Sequence, residues 1–109
     1  MAYDETLADR IRAHVGGHAG IAEKKMFGGL ALMLGGNMCV GVVKEDLMVR
    51  VGPDAYEEVL ALPGARPMDF TGKPLRGFVF VDAETVAEDM ALHDWIGRGL
   101  AFAASLPAK

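Results

Sequence analysis

A chain of 109 residues, 51% apolar and 24% charged, has enough nonpolar surface for one domain with a two-layer core and lies far from the composition of a disordered segment. Its net charge is −4, with the acidic surplus in residues 1–23 and 77–109 and one excess basic charge in 24–76, which argues against a molecule built as a whole to bind polyanions. A lone cysteine, Cys39, excludes an internal disulfide and a cysteine zinc cage, and the acidic start MAYDETLADR lacks the regions of a secretory signal, so the expected location is the cytoplasm.

Asp4 is placed to cap a helix whose Leu7, Ile11, His14 and Val15 recur on one side, with Gly16-Gly17 as its end. His14 and His18 have the i, i+4 spacing of a helical metal pair, but the glycine doublet between them breaks the helix that would align them. No metal site is expected there.

Met26 to Val43, MFGGLALMLGGNMCVGVV, carries no formal charge and admits three readings: a membrane span, a phosphate-cradling loop or the centre of a sheet. Five glycines at about 1 kcal/mol each, relative to alanine, weaken any helix there, and Asn37 puts a polar group at mid-depth. A phosphate loop needs a lysine and a hydroxyl after its glycines, or G-x-G-x-x-G; the nearest approach, Thr71-Gly72-Lys73-Pro74, has proline in the hydroxyl's place. The sheet reading is adopted. Leu30–Leu34 and Met38–Val43 read as strands joined by a primed turn over Gly35-Gly36-Asn37, with Gly28-Gly29 as an entry bend or bulge and Gly41 where a helix lies close. Cys39 between Met38 and Val40 reads as a small buried hydrophobe.

A polar turn at Lys44-Glu45-Asp46 leads into a third strand, 47–51. Asp54 and Glu57 resemble a capping box opening a short helix that buries Tyr56, Val59 and Leu60. Residues 65–76 read as irregular and basic, with a second strand pair at Met68–Phe70 and Gly77–Val81, Phe78 and Phe80 facing opposite to Val79 and Val81. One long helix, capped by Asp82 or Asp89, follows with Leu92, Trp95, Ile96, Gly99, Ala103 and Leu106 in register. The predicted fold is an α+β two-layer sandwich, α-β-β-β-α-β-β-α, with a five-stranded, mainly antiparallel sheet. Outward-facing Met33, Val43, Met48 and Phe80 or Val81 leave an apolar second face, for which a homodimer is the expected cover.

Chemistry is sparse. The one serine, Ser105, stands in no nucleophile motif, His93 reads as a rim residue, and most carboxylates sit near predicted helix starts, where the macrodipole favours them. No catalytic residue, cofactor or metal ligand is expected. The basic residues Lys24, Lys25, Arg66, Lys73 and Arg76 are the candidates for contact with an anion or an acidic partner. Two alternatives to a protein-interaction domain stay open: a nucleic-acid accessory using that group, and a small-molecule binder or enzyme whose pocket gathers His14, His93 or Cys39 with a carboxylate.

Lys25-Met26-Phe27-Gly28-Gly29, the strand Leu47–Arg50, Gly77–Val81, Trp95 and the closing Ala104-Ser105-Leu106-Pro107 together resemble the TfoX/Sxy N-terminal domain family over nearly the whole chain. The resemblance implies a secretion-chaperone-like α+β fold and no catalytic motif. It also implies kinship with regulators of natural competence that act with the cyclic-AMP receptor protein at promoters. Those regulators continue into a helical C-terminal domain, whereas this sequence stops at Lys109, so a stand-alone regulatory or protein-interaction domain is the expectation.

Overall fold

A computed structural model describes residues 3–16, 20–26, 28–69 and 74–107. Helix α1 (Glu5–Val15) leads into strands β1 (Ile21–Met26), β2 (Gly29–Leu34), β3 (Asn37–Val43) and β4 (Asp46–Arg50). Helix α2 (Tyr56–Leu60), strands β5 (Ala65–Asp69) and β6 (Pro74–Val81), and helices α3 (Ala83–Val86) and α4 (Asp89–Ala104) complete the fold. The strands form one antiparallel sheet in the order β1-β2-β3-β4-β6-β5, so the α+β class holds with six strands in place of the five expected.

The added strand is β1. Lys24 and Lys25, which precede the first predicted strand, lie within the sheet, opposite Ala31 and Leu30 of β2. Consequently Gly28, at φ 74°, belongs to a hairpin turn, and Gly29 opens β2 with its backbone against the Val42 carbonyl, leaving no room for a side chain. The next hairpin forms where the sequence predicts, but Asn37, expected in the turn, opens β3 opposite Leu34. Gly35 and Gly36 both take positive φ, as a two-residue turn between right-twisted strands requires.

Asp4 caps α1 as expected, its Oδ1 accepting from the backbone N–H groups of Thr6 at 2.9 Å and Leu7 at 3.1 Å. Leu7, Ala8, Ile11 and Val15 are buried on that helix, while His14 is only half-buried. Two other caps differ from expectation. Ala55, not Asp54, precedes α2 and makes no side-chain cap, and the single long helix is two, α3 and α4. Glu88 has extended backbone that interrupts the helix, and the Asp82 carboxylate accepts from Arg66 Nε at 2.6 Å and caps no helix N–H.

The helices cover one face of the sheet. Leu32, Val40, Leu47, Val49, Val79 and Val81 meet Ile11, Val59, Leu92, Trp95 and Ile96 in one buried cluster. At the centre a Cβ on Gly99 would stand 2.5 Å from the Cys39 carbonyl oxygen, so α4 touches β3 through its own glycine. Gly41, expected to make room for a helix, instead faces the other way, where a Cβ would fall 2.6 Å from Met48 Cε. Cys39 is the extra residue of a bulge in β3, which turns both Cys39 and Val40 toward the helices.

The second face is not an exposed apolar sheet. Ala31, Met38, Val43, Met48 and Met68 form a buried cluster of their own, with Met33, Phe78 and Phe80 packed against it. Met48 and Met68 are fully buried, and the exposed large hydrophobic side chain among the described residues is Met90, on α4. Of the residues that suggest a homodimer, Val43 and Met48 are buried within the chain, while Met33 and Phe80 are partly exposed. Phe78 and Phe80 do oppose Val79 and Val81, as the alternation predicts. No helix among the described residues is long and apolar enough to cross a membrane.

Candidate functional site

The five basic candidates do not form one patch. Lys24 and Lys25 sit on β1, at one margin of the sheet, and Arg66 sits on β5, at the other. Arg66 is committed: its guanidinium bonds Asp82 at 2.6 Å and Asp46 at 2.9 Å and stacks over Phe80, and the two carboxylates raise its pKa, Asp82 foremost. Arg76 stacks 5.7 Å from the Tyr56 ring centroid with Glu57 at 3.7 Å, and Lys73 lies outside the described residues.

The β1 margin is different. Glu23 is taken by Arg12, whose Nε and Nη2 reach its two oxygens at 2.7 and 2.9 Å, a two-point contact from α1 that holds the Glu23 carboxyl below its ordinary range. Lys24 and Lys25 are both exposed and make no ion pair with any described residue. Alternation sends Lys24 to the face of the second cluster, with Ala31, and Lys25 to the helix face, with Leu30. With Glu23 held by Arg12, β1, the strand that ends the sheet, presents two positive charges with no ion-pair partner among the described residues.

Among the residues that suggest chemistry, Cys39 is fully buried, its Sγ donating to the Leu32 carbonyl at 3.1 Å, and burial pushes the thiol pKa up to about 11. Ser105 donates its hydroxyl to the Phe102 carbonyl at 2.6 Å, closing the last turn of α4. His18 lies outside the described residues, so the His14–His18 spacing is not addressed. His14 instead meets His93 across the α1–α4 contact, Nδ1 to Nδ1 at 3.4 Å. That pairing joins positions 79 residues apart, beyond the reach of any local spacing rule.

Of three open grooves between described residues, one of about 320 Å³ is lined by Val51, Ala55, Val59, Arg98, Ala101 and Phe102. None of the three brings a histidine or Cys39 together with a carboxylate. Of the residues that carried the family resemblance, Trp95 is buried on α4 with Arg98 over its ring at 5.4 Å, Gly28 and Gly29 shape the β1–β2 hairpin, and Phe27 lies outside the described residues.

A six-stranded antiparallel sheet with its helices on one face, a basic edge strand and a buried, hydrogen-bonded thiol define an α+β domain. Residues 13–103 match the family model of the TfoX N-terminal domain, and the chain belongs to that family. No curated protein and no solved structure matches it.

Proposed function

We propose that the chain is a non-catalytic regulatory domain that works by docking an extended, acidic segment of a partner protein along β1. The observation that carries this reading is the contrast between the two sheet margins. β5 is blunted by Pro67 and by a bulge between Pro67 and Asp69, both devices that discourage strand addition. β1 pairs regularly with β2 over six positions, contains no proline and leaves its outer row of backbone groups facing no other strand of the sheet. An added strand gains main-chain hydrogen bonds there, and Lys24 and Lys25 select acidic side chains on its two faces. Membership of the TfoX N-terminal domain family supports a regulatory role.

The test compares proteins retained from native extract by the wild-type chain, by Lys24→Glu/Lys25→Glu and by Arg76→Glu. The reading expects retention that survives nuclease treatment, is lost on reversing the β1 lysines and persists in Arg76→Glu. Retention abolished by nuclease points to phosphate contact and overturns it, as does retention indifferent to the β1 charges. Sedimentation equilibrium on the same samples reads self-association: a partner that proves to be a second copy replaces the acidic segment.

A further inference from the structure

The packing of α1 against α4 brings two imidazoles together at the solvent boundary. His14 is half-buried and His93 exposed; their ring centroids stand 5.4 Å apart with the planes inclined at 46°. The two Nδ1 atoms are 3.4 Å apart. That is longer than the roughly 2.7–3.2 Å range of ordinary N–H···O hydrogen bonds. It fits another geometry better. Two nitrogens bound at about 2.0–2.1 Å to one tetrahedral ion stand about 3.3–3.4 Å from each other.

We propose that His14 and His93 form a chelating site for a first-row divalent ion of borderline softness, Zn²⁺ foremost, each ring giving Nδ1 and water completing the shell. Imidazole nitrogens favour Zn²⁺, Ni²⁺ and Cu²⁺ over the hard, oxygen-seeking Ca²⁺ and Mg²⁺. Both helices arrive fixed. Arg10 of α1 donates to the Ala87 carbonyl at 3.2 Å and to Asp89 at 2.8 Å, tying α1 to the start of α4. Asp89, one turn before His93, is committed to Arg10 and is not counted as a ligand. The described residues hold no cluster of three or more metal-binding side chains, so the site is open to solvent and its ion exchangeable. Such an ion bridges α1 to α4 only in the folded chain and therefore favours the folded state.

The site is independent of partner docking at β1, which lies on another element. The probe is Zn²⁺ alone, added to the full chain and followed by calorimetry, thermal unfolding and long-range ¹H–¹⁵N spectra of the histidine rings. The expected result is one ion per chain, a midpoint that rises with Zn²⁺, and Nδ1 resonances of both rings displaced on binding. His14→Gln and His93→Gln should each weaken binding at least tenfold, while His18→Gln leaves it unchanged. Since His93 is exposed, His93→Gln decides the matter even if His14→Gln perturbs α1. No saturable binding at millimolar Zn²⁺, binding unchanged in His93→Gln, or loss in His18→Gln overturns the site.

Discussion

The two faces of the sheet are filled by different means. On the helix face, branched side chains such as Leu47, Val49, Val79 and Ile11 interlock, and α4 comes close enough for Gly99 to rest on the Cys39 carbonyl. On the second face, Met38, Met48 and Met68 fill the space beside Ala31 and Val43, with Met48 lying over Gly41. Branched residues have few rotamers and specify one arrangement; methionine has three rotatable bonds and conforms to whatever gap remains. One face fixes where the helices dock, and the other adapts to the sheet.

Substitutions sharpen that contrast. The largest effect expected is from Leu47→Ala, a loss of about 2–5 kcal/mol in denaturant unfolding, because a fully buried side chain leaves a cavity under rigid neighbours. Gly99→Ala should cost about 1–3 kcal/mol, since its new methyl meets backbone at Cys39 and cannot be accommodated by a side-chain turn. It should also let thiol reagents reach Cys39, which in the folded wild type is expected to label only on unfolding. Met48→Leu, equally buried but on the adaptable face, should cost less than about 1.5 kcal/mol; a loss as large as that of Leu47→Ala would erase the distinction between the faces.

The smallest effect belongs to the Arg12–Glu23 contact at the surface. Arg12 lowers the Glu23 pKa from its ordinary 4.5, so the contact is complete above that value and lost as pH falls through the lowered one. Both side chains are well exposed, so the contribution is below about 1 kcal/mol. Glu23→Gln should flatten the acid limb of the stability–pH curve slightly and leave neutral pH nearly unchanged.

Where local rules govern, the sequence is a good guide. The Gly35-Gly36 turn, the Asp4 cap, the opposed faces of Phe78 and Val79, and the burial of Cys39 all follow from neighbours within a few positions. β1 is not legible in the sequence, because Ile21-Ala22-Glu23-Lys24-Lys25-Met26 is an edge strand with charges on both faces, so no alternation of apolar residues announces it. Asp82 reads as a cap until Arg66 claims its carboxylate, and the second face reads as exposed until the methionines are seen packed together. Of the candidate sites, the lysine pair is visible as a charge but its strand edge is not, and the His14–His93 approach is made by helix docking alone.

The sheet order has a kinetic corollary. β1 to β4 are joined by tight turns and zip up from near neighbours, whereas β6 reaches β4 only by pairing Leu47 with Val81 across an intervening helix and strand. Closing that larger loop is the slow search in reaching the native topology. The meander is therefore expected to form first and the docking of β6 to limit the refolding rate, which stopped-flow refolding of substitutions in β2–β3 against β6 checks.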